Sequence, residues 1–118
     1  ILSVTMHFPE GDPEKIMKNM KEFTNHRKNT QPSALYNAGS VFKNGKDYFA
    51  AELIENAGLK GYKIDGVRVS EKHSNFFIAD KDAKSSALYK LVNFVKNDIF
   101  NKYNVKLEEE IIFVGDFD

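Results

Sequence analysis

Residues Lys84–Tyr103 read KSSALYKLVNFVKNDIFNKY, and their spacing decides the fold class. Leu88, Leu91, Val92, Val95 and Ile99 recur at helical intervals, which sets one apolar stripe along a single helix face. That stripe needs a surface to cover, and the flanking sequence offers short strands. Before it, Tyr62–Val69 reads as a strand bent or interrupted near Gly66, and Asn75–Ala79 as a second short strand. Glu71-Lys72-His73 forms part of the link between them, and Asp80–Ala83 turns the chain into the helix. After it, Leu107 leads through Glu108, Glu109 and Glu110 into Ile111–Val114, an apolar strand closed by Gly115. This order predicts an α+β domain: two layers, with short, mostly antiparallel strands packed against helices.

Working outward, Leu2, Val4, Met6 and Phe8 alternate with other residues and read as a half-buried strand, ended by Pro9-Glu10-Gly11. Asp12 suits a helix N-cap and Pro13 the first helical position, where its missing N–H costs nothing. The helix is expected to run to Arg27 or Lys28, with Ile16, Met17, Met20 and Phe23 as a core stripe. Asn29–Gly45 has no persistent period; loops of that length are often functional, with irregular packing as the rival reading. A short helix over Tyr48–Ala57 should turn Phe49, Leu53, Ile54 and Ala57 inward. Gly58 then suits a left-handed C-cap, with Leu59 making the hydrophobic contact beyond it.

The 118 residues fit one domain, and 42% apolar against 29% charged residues is a folded-protein balance. Lys plus Arg equals Asp plus Glu at 17 each, which argues against a broad nucleic-acid surface. Without cysteine there is no disulfide, no thiolate metal site and no cysteine nucleophile. His7, His26 and His73 are too dispersed for a metal-ligand motif. No apolar run is long enough to span a bilayer, and no signal peptide is visible. The chain opens on Ile1 rather than Met, which leads us to expect a part of a longer protein.

Two stretches could carry chemistry. In Asn37-Ala38-Gly39-Ser40-Val41-Phe42-Lys43-Asn44, small residues precede a hydroxyl and permit close approach of a ligand. Glu110 is an acid at the mouth of an apolar segment. A hydroxyl can donate a proton if the resulting charge is stabilised, and a carboxyl group can assist. The rival readings are a loop-closing hydroxyl for Ser40 and a solvated acidic run for Glu108–Glu110. Ser40 is not in a G-x-S-x-G elbow and His73 has no evident orienting partner, so a triad hydrolase is not indicated. Gly58-Leu59-Lys60-Gly61 reads as a helix C-cap and turn, with a KH-like GxxG loop on RNA as the more distant alternative. The dinucleotide fingerprint G-x-G-x-x-G is absent.

Several pieces, in order, carry a resemblance. They are Ile1-Leu2-Ser3, Gly11-Asp12-Pro13, Arg27-Lys28-Asn29-Thr30-Gln31-Pro32, Ala38-Gly39-Ser40-Val41-Phe42-Lys43-Asn44, Ala57-Gly58-Leu59-Lys60-Gly61, Val69-Ser70-Glu71-Lys72-His73-Ser74-Asn75-Phe76 and Leu107-Glu108-Glu109-Glu110-Ile111. Together they resemble the C-terminal, substrate-binding domain of the UDP-N-acetylenolpyruvoylglucosamine reductases of peptidoglycan synthesis, in the type lacking an extra tyrosine-bearing loop. The resemblance covers almost the whole chain, so residues 1–118 are expected to form that domain, with the FAD-binding domains outside it.

In that family NADPH reduces FAD, and the flavin then passes hydride to the enolpyruvyl ether of a UDP-sugar. The resemblance implies that Ser40 supplies the proton to the neighbouring carbon and that Glu110 assists. It implies substrate contacts for Lys28, Gln31, Asn44, His73 and Asn75, with Lys72, His73 and Asn75 building the site. It also implies a cytoplasmic reductase without nucleic-acid or membrane partners, of which this chain alone would be inactive. A ligand-binding module that has lost catalysis is the alternative. Three positions depart from the family pattern: Gly45 and Glu109 stand where Pro is common, and Ile112 where Arg is common. Gly45 is expected to loosen the end of the Ser40 loop.

Overall fold

The computed structural model describes residues 1–33 and 36–117. Three helices and one sheet follow in the order α1 (Pro13–Thr30), α2 (Ala50–Asn56), β1 (Lys63–Ile64), β2 (Val67–Val69), β3 (Phe77–Ala79) and α3 (Ser85–Tyr103). The sheet is antiparallel in the order β1-β2-β3, with Ile64 opposite Val67 and Val69 opposite Phe77. The core forms where the α3 stripe lies on this sheet: Ala87, Leu91, Val92, Val95 and Ile99 meet Val67, Val69 and Phe77, with Ala50 and Ile54 of α2 closing one side. The expected α+β domain of two layers is thus present. Among the described residues no helix is long and apolar enough to cross a membrane.

Asp65 and Gly66 both have positive φ, at 44° and 90°, and turn β1 directly into β2. An Asp-Gly pair in this conformation matches the twist of a two-residue hairpin. The stretch expected as one bent strand over Tyr62–Val69 is therefore two paired strands. α2 starts at Ala50, one residue after Phe49, whose ring is solvent-exposed rather than inward. Its end follows expectation: Gly58 is left-handed at φ 76°, and Leu59 is buried.

Three expectations fail for one shared reason. Ile111–Val114 is not a strand, and Ile112 and Val114 are exposed. The preceding residues take the ladder instead, with Glu109 opposite Phe42, and the tail then folds its Phe113 and Phe117 rings onto Tyr89 at 5.2 and 5.3 Å. Leu2–Phe8 is not a strand either, and its apolar residues are exposed. α1 forms as expected, with Asp12 Oδ1 accepting the Glu14 N–H at 2.9 Å and Pro13 in the first turn. Yet α1 buries no residue, and the Ile16, Met17, Met20 and Phe23 stripe is not core. Periodicity reports which side of a segment is apolar; it does not supply the strand or surface that must pair with it.

Candidate functional site

The segment Ser40–Lys43 runs between two other stretches of chain and is held by both. On one side Ser40 bridges Phe76, and the Val41 N–H donates to the Asn75 carbonyl at 2.9 Å. The Asn75 side chain adds a second clamp: its Oδ1 accepts the Phe42 N–H at 2.9 Å and its Nδ2 donates to the Phe42 carbonyl at 2.8 Å. On the other side the Lys43 N–H donates to the Glu108 carbonyl at 2.9 Å, and the Glu110 N–H to the Val41 carbonyl at 2.8 Å. The two candidate catalytic residues, 70 positions apart in sequence, are therefore tied to one segment by backbone pairing, Ser40 through its bridge to Phe76 and Glu110 through its bond to Val41. Glu110 lies opposite Val41, the neighbour of Ser40.

Gly39, at φ 80°, lets the chain turn into this segment. A Cβ there would meet no atom within 4 Å, so the glycine is required by backbone conformation rather than by space. The Asn37 side chain caps the same turn by accepting the Gly39 N–H at 3.0 Å. Among the described residues the Ser40 hydroxyl has no hydrogen-bond partner. It is half-buried beside a groove of about 690 Å³.

Lys28 and Gln31 line that groove, together with Arg27, Asn37, Gly39 and Phe76. Two cationic side chains at its α1 wall favour an anionic ligand. Arg27 Nε donates to Gln31 Oε1 at 3.1 Å, and Lys72 Nζ donates to the Lys28 carbonyl, joining the α1 end to the 70–75 loop. Ser40, Asn44, His73, Asn75 and Glu110 are not part of the groove lining, although Gly39 beside Ser40 is. Asn44 Oδ1 accepts the Ala50 N–H at 3.1 Å and satisfies a free donor at the start of α2, whose own N-cap offers no side-chain bond.

The His73 ring packs edge-on to Phe76 at 4.8 Å, and its Nδ1 accepts the Asn75 N–H at 3.3 Å. The neutral ring thus carries its proton on Nε2. Burial holds His73 below the usual histidine range, with the Lys60 charge acting in the same direction. The Glu108 hydrogen bond and charge raise the Lys43 ammonium above its ordinary value, with a smaller contribution from the Glu110 charge. Glu109 makes an ion pair with Lys96 of α3 at 2.6 Å; burial pushes its carboxyl up, but the Lys96 hydrogen bond and neighbouring backbone outweigh that and hold it low.

The departure at Gly45 does not loosen the loop. Its N–H donates to the Tyr48 carbonyl at 3.1 Å, which proline could not do, and a Cβ would sit 2.2 Å from the Tyr48 ring. Sequence reasoning missed Ser70 and Ser74, both buried; the Ser70 hydroxyl accepts the N–H groups of Lys72 and His73 at 3.1 and 3.3 Å, shaping the turn that carries His73. Their signal is in the quoted Val69–Phe76 stretch, where polar residues occupy positions between two strands.

Three of the four amides of Gly58–Gly61 are engaged inside the protein. Gly58 N–H donates to the Glu55 carbonyl, Leu59 N–H to Ile54 and Gly61 N–H to Val69. They cannot also cradle a phosphate chain, so neither a KH-like contact nor a flavin pyrophosphate fits there. Among the described residues no cluster of His, Cys, Asp or Glu could hold a metal ion.

Residues 31–114 match the family model described as the UDP-N-acetylenolpyruvoylglucosamine reductase C-terminal domain. The reductase of that name from Caldicellulosiruptor bescii is 39% identical over 113 residues, covering 96% of this chain and 36% of that protein. That from Caldanaerobacter subterraneus is 40% identical over 116 residues, covering 98% and 38%. The crystal structure of the Thermus caldophilus reductase superimposes with a TM-score of 0.74 at 31% identity, over 86% of this chain and 35% of that one. The chain spans little more than a third of the length of these relatives. On this match the chain belongs to the UDP-N-acetylenolpyruvoylglucosamine reductase family, whose C-terminal domain it contains.

Proposed function

We propose that this chain provides the substrate-binding and proton-donating side of a cytoplasmic reductase. The reaction converts UDP-N-acetylglucosamine enolpyruvate to UDP-N-acetylmuramate, in peptidoglycan precursor synthesis. The observation that carries the reading is the Glu110 N–H bond to the Val41 carbonyl at 2.8 Å, because it brings an acid beside the Ser40 segment. FAD and NADPH would be held by the portion of the reductase outside this chain and would supply the hydride.

The roles of the residues follow from charge. Reduction next to the pyruvyl carboxylate builds negative charge, and donors aimed at it favour the transition state. Lys28, Gln31 and the neighbouring Arg27 are disposed to take the anionic part of the ligand. The Ser40 hydroxyl, free of internal bonds among the described residues, delivers the proton to carbon, and Glu110 assists or orients that transfer. Asn75 and Asn44 hold the loop in shape, and His73 offers Nε2–H as a fixed donor.

The test is an amide NMR titration of the chain with UDP-N-acetylglucosamine enolpyruvate. Shifts concentrated at Gln31, Ser40, Asn44 and Glu110 are expected. Absence of shifts at saturating ligand would refute a preformed substrate surface on this chain.

A further inference from the structure

The chain leaves its last backbone pairing at Glu110. That residue's N–H is bonded to the Val41 carbonyl at 2.8 Å, and the chain bends there and at Ile111. Beyond Glu110, among the described residues, the main chain makes no further backbone hydrogen bond. Side chains hold the tail instead. Ile111 and Phe113 pack on the core, while Ile112 and Val114 are exposed. The rings of Tyr89, Phe113 and Phe117 all meet. Phe113 lies edge-on to Tyr89 with ring centres 5.2 Å apart, Phe117 stacks on Tyr89 at 5.3 Å, and the two phenylalanines lie 5.2 Å from each other. Both arrangements are attractive for aromatic pairs.

The helix α3 fixes Tyr89. The ring stands between Ala87 and Leu91 in sequence, and both of those are buried in the core. The adjacent Leu88 lines a cavity of about 190 Å³ together with Val41. The contacts therefore close on themselves: Val41 holds Glu110 by a backbone bond, Glu110 leads to Phe113, Phe113 sits on Tyr89, and the same turn of α3 returns to Val41.

We propose that Tyr89, Phe113 and Phe117 are positioning residues for the reduction: their aromatic cluster holds the bend at Glu110, so that its carboxyl group is aimed at the substrate from beside the Ser40 segment. The inference rests on the proposed function, which gives Glu110 its part in proton transfer. None of the three rings lines the groove formed by Arg27, Lys28, Gln31 and Phe76, so they act through Glu110 and not on ligand binding. Proton transfer depends steeply on geometry, and a misplacement of about 1 Å caused by a distant substitution can cost roughly 10²-fold in rate.

Phe117→Ala removes one ring and leaves Phe113 on the core. In this chain, hydrogen exchange of the Glu110 amide is expected to speed up by about tenfold. The Val41 amide, bonded to Asn75 on the other flank of the same segment, should keep its rate. In a complete reductase carrying this domain, kcat should fall by about 10- to 100-fold, with KM for UDP-N-acetylglucosamine enolpyruvate within about twofold of the parent. Phe117→Tyr keeps the ring and should restore both readouts. On a Glu110→Gln background Phe117→Ala should add nothing, because the group that it positions is already gone. An unchanged Glu110 amide overturns the proposal. So does an equal loss of kcat on the Glu110→Gln background, which marks a general loosening of the fold. If Phe117→Ala does not fold, Tyr89→Leu carries the same comparisons, with Tyr89→Phe as its rescue.

The outcomes separate the two readings. Full turnover of Glu110→Gln would take the Glu110 role out of the proposed function, and this proposal with it. Reduced turnover of Glu110→Gln beside full turnover of Phe117→Ala would sink the positioning alone.

Discussion

Asn75 grips Phe42 by both ends of one peptide residue: Oδ1 takes its N–H at 2.9 Å and Nδ2 reaches its carbonyl at 2.8 Å. Both groups are buried, so truncation leaves a donor and an acceptor without partners. Asn75→Ala should cost about 2–4 kcal/mol, since each orphaned buried group costs roughly 1–3. Urea unfolding should show a lower midpoint with an unchanged slope. A midpoint equal to the parent's would mean that the clamp adds nothing to the fold.

Gly45→Pro restores the residue common in the family, and it should still destabilise this chain. It removes the N–H bond to the Tyr48 carbonyl and places ring atoms where the Tyr48 side chain lies. A loss of about 1–3 kcal/mol is expected. Thermal unfolding checks it, and a raised melting temperature would contradict the packing described.

Lys96→Met should cost about 1 kcal/mol at neutral pH, because the pair with Glu109 is only partly shielded from water. The Glu109 carboxyl is held below its ordinary value in the folded state. Its contribution is therefore present above the unfolded carboxylate pKa of ~4.3 and lost as pH falls through the lower folded value. The stability gap between parent and variant should close across that acidic window. A gap that persists at the lowest pH would assign the effect to packing of the lysine stem.

His73 should titrate below ~6.5, as burial disfavours its cation. Being lowered on folding, it contributes stability above the unfolded value that is lost as pH falls through the folded one. Long-range proton–nitrogen NMR should find the Nε2–H tautomer, with Nδ1 accepting from Asn75. A Nδ1–H signal would reverse the bond drawn here.

Ser40→Ala should leave stability within about 0.5 kcal/mol of the parent, because the hydroxyl makes no internal bond among the described residues. In a complete reductase carrying this domain, loss of the proton donor should lower turnover by about 10²–10⁴-fold. Full turnover in that variant would remove Ser40 from the chemistry.

The sequence made the layers legible where a pattern and its partner lie close together. The α3 stripe and the strands before it are neighbours in the chain, and both formed nearly where periodicity put them. The Asp65-Gly66 turn was overlooked although its residue pair is a strong hairpin signal. Long-range pairing was harder. Nothing local distinguishes Glu108–Glu110, which finds Phe42, from Ile111–Val114, which finds no strand. Ser40 and Glu110 are marked out by residue type and by family resemblance, while the pairings that tie both to one segment depend on tertiary contacts that spacing does not encode. The exposed α1 stripe is the same lesson at larger scale.

The double-sided hold on Ser40–Lys43 has a consequence for the order of assembly. Its partners lie 33 residues away at Asn75 and 65 away at Glu108. Loop closure over such spans comes after local helix and hairpin formation. A nascent chain released as far as α3 can build the α3–sheet contacts while the Ser40–Lys43 segment is held on one flank only. The second flank arrives with the last residues made, so a polypeptide clipped before Leu107 would lose that buried core residue together with the flank that completes the site.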